Sequence, residues 1–246
     1  MIKYCHIIIL GVSCFIISTT AYSQVSITIN DTHYHYPNNP RMSDVLKPVG
    51  LASDWYWPSA ILFNETSYQQ LEDQRNRLIR KMANSGRDDS GIHSDYRALI
   101  DQIKSWSLAK RILVNIDYDH ARFDIAENPQ FDEGKYILNI TSRPNTIYVF
   151  GAVPAASHIP YSGNQCLAEL IKNIQRTSIA DKSYVYMVLP DGSIEKSPIA
   201  NWNNKCVVPA PGTQILIPIQ ENQFFAENTE INYETALLSL NRKPTK

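Results

Sequence analysis

Apolar and polar residues alternate from Val25 to Asn30 (Val-Ser-Ile-Thr-Ile-Asn), which predicts a half-buried strand. Asn30-Asp31 then turns the chain into a second strand at Tyr34-His35-Tyr36, and Pro37 to Pro40 ends the hairpin. A short helix is predicted next, with Ser43 as its cap and Asp44 in its first turn, followed by an aromatic-rich strand from Trp55 to Phe63. From Thr66 the period lengthens to that of a helix. Thr66 and Gln69 form a capping box, and Tyr68, Leu71, Leu78, Ile79 and Met82 make one apolar stripe. Asn84 to Gly91 interrupts it, and Tyr96, Leu99, Ile100 and Ile103 make a second. These stripes predict an antiparallel helical hairpin over about residues 65–109, with arms roughly 25 Å long at 1.5 Å per residue. The β pattern resumes over Arg111 to Asp117 and closes with Tyr136 to Ile140, so the hairpin reads as an insertion into a β module.

A second module follows. Tyr148 to Pro154 is a β-rich run broken by Gly151, and Leu167, Leu170, Ile171 and Ile174 are spaced as on a helix. Tyr184 to Leu189 is a strand that ends in the turn Pro190-Asp191-Gly192, and Pro211-Gly212 leads into the apolar strand Gln214 to Ile217. The order predicts one helix packed on a small mixed sheet, an α+β unit. In the tail, Ile231, Leu237, Leu238 and Leu240 make a short apolar stripe, with Thr229 as cap and Arg242 and Lys243 where cations suit a helix C-terminus. That stripe is too short to hold a membrane and is expected to dock on its own domain.

Residues 1–23 have the parts of a secretory signal: Lys3, an apolar core from Ile7 to Ile17, and small residues at Ala21 and Ser23 ahead of Gln24. Export to the periplasm is expected, with no membrane-spanning segment after cleavage. Of 246 residues 43% are hydrophobic and the formal net charge is -1, which suits one or two folded domains and argues against a general nucleic-acid binder. Cleavage removes Cys5 and Cys14. Cys166 and Cys206 remain, and in an oxidising compartment they are expected to pair as one disulfide. A CxxC spacing is absent, and no metal or cofactor is expected.

The pieces Gly151, Val153, Pro160 to Gly163, Asp191-Gly192 and Pro211 to Pro218 occur in the order found in the soluble-ligand-binding β-grasp (SLBB) module of polysaccharide-export proteins. Over nearly the whole mature chain, Arg41 to Leu46, Tyr56-Trp57-Pro58, a helical hairpin, Arg111, Asp117-x-Asp119, Asn128-Pro129, Arg143-Pro144 and Gly151-Ala152-Val153 resemble the GfcC family. Its members are periplasmic proteins encoded with capsule and exopolysaccharide secretion systems. The resemblance implies two β-grasp domains in tandem, over 24–145 and 146–220, with the hairpin inserted in the first and an amphipathic helix in the C-terminal segment 221–246. It also implies a role in polymer assembly or export, with the polysaccharide or proteins of the export machinery, such as an outer-membrane exporter, as partners.

Arg111 is the leading candidate for binding, since the resemblance makes an arginine at this position a family hallmark. A guanidinium there can grip a carboxylate or phosphate through paired hydrogen bonds, and its bland alternative is a salt bridge at the base of the hairpin. Arg122 is a second candidate. Asp117, with Asp119 or Glu127, invites a polysaccharide-modifying enzyme, because paired carboxylates do acid and base work on sugars; turn formation is the simpler use. Trp55, Tyr56 and Trp57 can stack on sugar rings, as in a carbohydrate-binding module, or can pack in a core. His33 and His35 share a strand face but lack a third metal ligand.

Overall fold

The structure, a computed structural model, describes residues 24–51, 54–88, 91–203, 205–221 and 226–244; the signal-like residues 1–23 lie outside them. The first hairpin is β1 (Val25–Ile29) and β2 (Thr32–Tyr36), joined through Asn30, whose φ of 53° lies in the left-handed region that asparagine tolerates. Then come α1 (Met42–Leu46) and β3 (Ile61–Asn64). The insertion comprises α2 (Tyr68–Ser85), the small strands β4 (Arg87–Asp88) and β5 (Gly91–Ile92), and α3 (Ser94–Lys104). The chain returns through β6 (Lys110–Ile112), α4 (Tyr118–Phe123) and β7 (Gly134–Asn139). Strand order in this sheet is β2-β1-β7-β3-β6, with β1 and β7 parallel and every other pair antiparallel.

The second sheet repeats the plan. β8 (Thr146–Gly151), β9 (Ser157–Pro160), α5 (Leu167–Leu170), β10 (Tyr184–Val188), β11 (Ile194–Pro198) and β12 (Gln214–Ile217) lie in the order β9-β8-β12-β10-β11, again with the first and last strands parallel at the centre. Two tandem β-grasp-like domains result. The two differ most at one connection: β10 and β11 are joined by the tight turn around Asp191-Gly192, whereas β3 and β6 are joined by the whole helical hairpin.

Several local expectations are corrected. Arg41, not Ser43, caps α1, because the Asp44 carboxylate reaches back to the Arg41 N–H at 3.0 Å and the Ser43 N–H is taken by the Asn128 side chain. The Thr66 hydroxyl is drawn to Asn64 at 2.5 Å, so α2 begins after Ser67 without a side-chain cap. Pro58 sits in a 3-10 turn over Trp57–Ser59, which confines the expected strand to Ile61–Asn64. The helix expected to reach Ile174 stops at Leu170, and Thr229 lies inside the last helix, α6 (Ala226–Ser239).

One face of the first sheet (Val25, Ile27, Leu62, Leu138) packs on α1 and α4, and one face of the second (Val149, Val185, Ile215) packs on α5. Cys166, just before α5, is disulfide-bonded to Cys206, with Cα atoms 4.9 Å apart. The opposite face of the second sheet (Phe150, Tyr186, Val188, Leu216) is covered by α2, α3 and α6. The hairpin therefore belongs to the first domain by chain and to the second by packing. Gln102 of α3 fixes this docking, since its Nε2 donates to the Gly151 and Val153 carbonyls and its Oε1 accepts the Gly151 N–H, all within 3.1 Å.

The C-terminal helix, expected to dock on its own domain, packs on the second sheet and equally on α2 of the inserted hairpin, through polar groups as well as leucines. Asn232 is buried and acts as a strand edge: its Nδ2 donates to the Ile219 carbonyl and its Oδ1 accepts the Ile219 N–H, both at 2.8 Å. Asn228 does the same for the Gln220 carbonyl at 2.8 Å. Lys81 of α2 ion-pairs with Glu230 and Glu234 of α6. Replacing Asn232 by leucine leaves two buried backbone groups unpaired, and we expect a loss of about 2 to 3 kcal/mol in urea unfolding. An unchanged midpoint would show that α6 is held by its apolar contacts alone.

Candidate functional site

Arg111 stands where the chain re-enters the first sheet from the hairpin, opposite Phe63 of β3. The C-terminal segment lies beside this stretch: Ala109 N–H donates to the Asn241 carbonyl at 2.9 Å, Lys243 N–H to Ser107 at 2.8 Å, and the Asn241 side chain accepts the Arg111 N–H at 2.9 Å. With its backbone held from both sides, the Arg111 side chain crosses to the second domain and donates from Nη2 to the Pro190 carbonyl. That carbonyl belongs to the tight β10–β11 turn. The same turn takes Leu113 against Gly192.

The guanidinium is under-used where it sits. Its Nε is buried without a hydrogen-bond partner, and among the described residues no carboxylate lies within ion-pair distance of it. Burial pushes its pKa below the ordinary arginine value, opposed by the nearby charge of Asp191. It remains a cation at any physiological pH.

Two concavities meet at this side chain. One, of about 530 Å³, is lined by Trp57, Asn115, Asp117, His120, Pro190 and Asp191 together with Arg111. The other, of about 540 Å³, lies between α2 and α6 and is also walled by Arg111. The structure thus brings together three of the residues singled out from the sequence: Arg111, Asp117 and Trp57.

The remaining candidates lie elsewhere. Trp55 donates its Nε1 proton to the Val49 carbonyl at 2.9 Å and packs on the first core, and Tyr56 lies against the Arg143 guanidinium at 5.3 Å. Arg122 is exposed on α4, 3.8 Å from Asp119 and above the rings of Tyr118 and Phe123. Asp117 is the N-cap of α4, its Oδ1 accepting the N–H groups of Asp119 at 2.9 Å and His120 at 3.0 Å. That use is capping, in a helix of six residues too short to show a period in the sequence. His33 and His35 are exposed on the edge strand β2, with His33 Nδ1 2.9 Å from the Thr28 hydroxyl. No group of three or more metal-binding side chains occurs among the described residues, and no described helix is long and apolar enough to cross a membrane.

Sequence reasoning missed Asn241, Asp191 and His120 as neighbours of Arg111. Asp191 was visible only as part of a turn, and nothing in the order of residues joins Asn241 to a strand 130 positions away.

The family described as "Capsule biosynthesis GfcC, N-terminal" matches residues 21–143, and that described as "Capsule biosynthesis GfcC C-terminal" matches residues 155–244. The chain belongs to the GfcC family. The uncharacterized protein YjbG of Escherichia coli (strain K12) is similar to it, 29% identical over 180 residues that cover 73% of each chain. Membership associates this GfcC-family chain with capsule biosynthesis. The Arg111 junction is built from both family regions: Arg111, Trp57 and Asp117 lie in the N-terminal match, Pro190, Asp191 and Asn241 in the C-terminal one.

Proposed function

We propose that the chain is a non-catalytic periplasmic accessory protein of capsule or exopolysaccharide assembly, which binds an acidic stretch of the polymer at the junction of its two domains. The observation that carries this reading is the Arg111 guanidinium, held in place by a single backbone carbonyl, with a buried unpartnered Nε and open space on both sides. A carboxylate or phosphate on the polymer would supply the paired acceptors that the protein does not. Trp57, half-buried against the first core, lines this concavity where a sugar ring would pack on it, and Asp191 supplies an acceptor for hydroxyls. A binding role also accounts for Asp117, whose carboxylate is engaged with backbone N–H groups. Export is supported by the signal-like residues 1–23 and by the Cys166–Cys206 disulfide.

The test is titration calorimetry of the purified protein with acidic oligosaccharides cut from the host's own capsule. Arg111→Lys keeps the charge but loses the planar fork, and we expect affinity to fall about 10-fold or more, the worth of a charged hydrogen-bond pair, with an unchanged circular dichroism spectrum. Equal binding by the variant would remove the polymer from this junction. Release of reducing ends by the wild type, abolished in Asp117→Asn, would replace the binding role with an enzymatic one.

A further inference from the structure

The two concavities share Arg111 and Leu113 and differ in charge, and the Trp57 side is walled by Ile112, Val114 and Ile116 where the α2–α6 side is walled by leucines. The Trp57 side carries Asp117 and Asp191, so Arg111 is opposed there by two acids. The α2–α6 side carries Arg77, Lys81 and Arg111 against one acid, Glu234, which is already paired with Lys81 at 2.9 Å. Lys81 is also paired with Glu230 at 3.0 Å, and neither Arg77 nor Arg111 has an ion pair among the described residues, so these two arginines are the unpaired cations facing this space. Its walls are leucine. Leu78, Leu238 and Leu240 form a buried back, while Leu113 and Leu237 are 58% and 41% exposed. Single exposed leucines are ordinary, but leucines from separate segments converging on one concavity beside two arginines without ion pairs are not.

The geometry points to a lipid-linked glycan as the ligand class. Its hydrocarbon end lies against Leu113, Leu237 and the leucines behind them, its phosphate on Arg111 and Arg77, and its sugars past Arg111 toward Trp57. This rests on the reading of the Trp57 side as a glycan site. The order hydrocarbon, phosphate, sugar matches the order α2–α6 leucines, arginine, tryptophan, with Leu113 beside Arg111 lining both spaces, and a volume of about 540 Å³ falls in the ordinary range of small-molecule pockets. An acid within the polymer would have sugar on both sides and would leave the leucine wall wet. An anionic bilayer fits less well than a single chain, because the surface is concave and Glu230 and Glu234 on α6 stand beside it.

Titration calorimetry of the full mature chain with butyl, hexyl and octyl phosphate, each below its micelle concentration, tests this. Affinity should rise about threefold to fourfold per added methylene, the transfer value for a buried CH₂, and inorganic phosphate should bind at least 100-fold more weakly than octyl phosphate. Leu237→Gln changes a partly exposed side chain, so folding is kept; it should weaken octyl phosphate about 10-fold and leave the acidic oligosaccharide unaffected. Arg77→Gln should weaken every alkyl phosphate by a similar factor. Affinity independent of chain length overturns the proposal, as does recruitment to phosphatidylglycerol vesicles that Leu237→Gln abolishes, since the occupant would then be a membrane. Oligosaccharide binding without alkyl phosphate binding overturns this inference and leaves the glycan site standing. The reverse result overturns the glycan reading and, with it, the continuity proposed here.

Discussion

Gly151→Ala is expected to destabilise the second domain by about 3 to 5 kcal/mol, the sum of left-handed strain and overpacking. Gly151 ends β8 at φ 102°, and a Cβ built there would lie 2.2 Å from the Ile217 carbonyl oxygen and 2.5 Å from Leu216 Cδ1. The obstacle is backbone, and it has no room to yield. Ile217 is the parallel partner of Gly151 across β12, and its oxygen already accepts the Ala152 N–H at 2.8 Å. Gly163 supplies the comparison, since it too has positive φ, 87°, but a Cβ there would meet only the exposed Arg143 Nη2 at 3.4 Å. Gly163→Ala should therefore cost only the backbone strain, about 1 to 2 kcal/mol. Urea unfolding followed by tryptophan fluorescence measures both. Equal midpoints for the two variants would show that the end of β8 is plastic and that the clash carries no weight. The consequence reaches the Arg111 junction, because the Gly151 backbone is where Gln102 fastens the hairpin. A loosened β8 frees α3, and with it the base of the insertion from which Arg111 emerges.

This dependence shows where the sequence could be read and where it could not. Period-2 alternation in β1 and period-3.6 stripes in α2 and α3 report burial against something, and they located β1, the hairpin and the tandem order, while the strand expected over Arg111 to Asp117 ends at Ile112 and β9 and β11 gave no signal. They do not report the partner. Leu78 and Ile103 carry the same signal whether they pack on the first sheet or, as here, beside Phe150 and Leu216 of the second. Short elements escaped for a related reason: α4 and α5 have six and four residues, less than two turns, so the apolar spacing that suggested a helix to Ile174 continues into irregular chain. The site was legible as a residue and not as a place. Arg111 stood out through family resemblance, but its hydrogen bond to Pro190 spans 79 positions and engages a carbonyl, a group that every residue carries. Asn232 and Asn228 show the same limit from the other side. In an expected apolar stripe they look like solvent-facing positions, yet they satisfy the strand edge beyond β12.

The second large effect concerns the disulfide. Cys166→Ala with Cys206→Ala is expected to lower stability by about 3 to 4 kcal/mol in the chain-entropy account, given the 40-residue separation that the bond closes. Little else fixes that loop at its ends. α5 is a single turn with no side-chain cap, its first N–H donates to the Val207 carbonyl at 2.7 Å, and the Tyr161 hydroxyl donates to Pro209 beside it. All of these contacts lie within a few residues of Cys206, so they depend on the same piece of chain and are expected to loosen together. Hydrogen exchange should then show lost protection in α5 and over the chain from Cys206 to the start of β12, with β10 and the Pro190 turn, and β1 and β7 of the first sheet, unchanged. Reduction of the wild type under native conditions should reproduce the pattern. The opposite face of the second sheet is held separately, by α2, α3 and α6, so the Arg111 junction should outlast the loss of the bond at low temperature. A double variant that unfolds at the wild-type urea midpoint would mean that the loop is already ordered in the unfolded chain or that α5 and the strand edges hold it unaided. Loss of protection in β1 would mean instead that the two domains unfold as one unit.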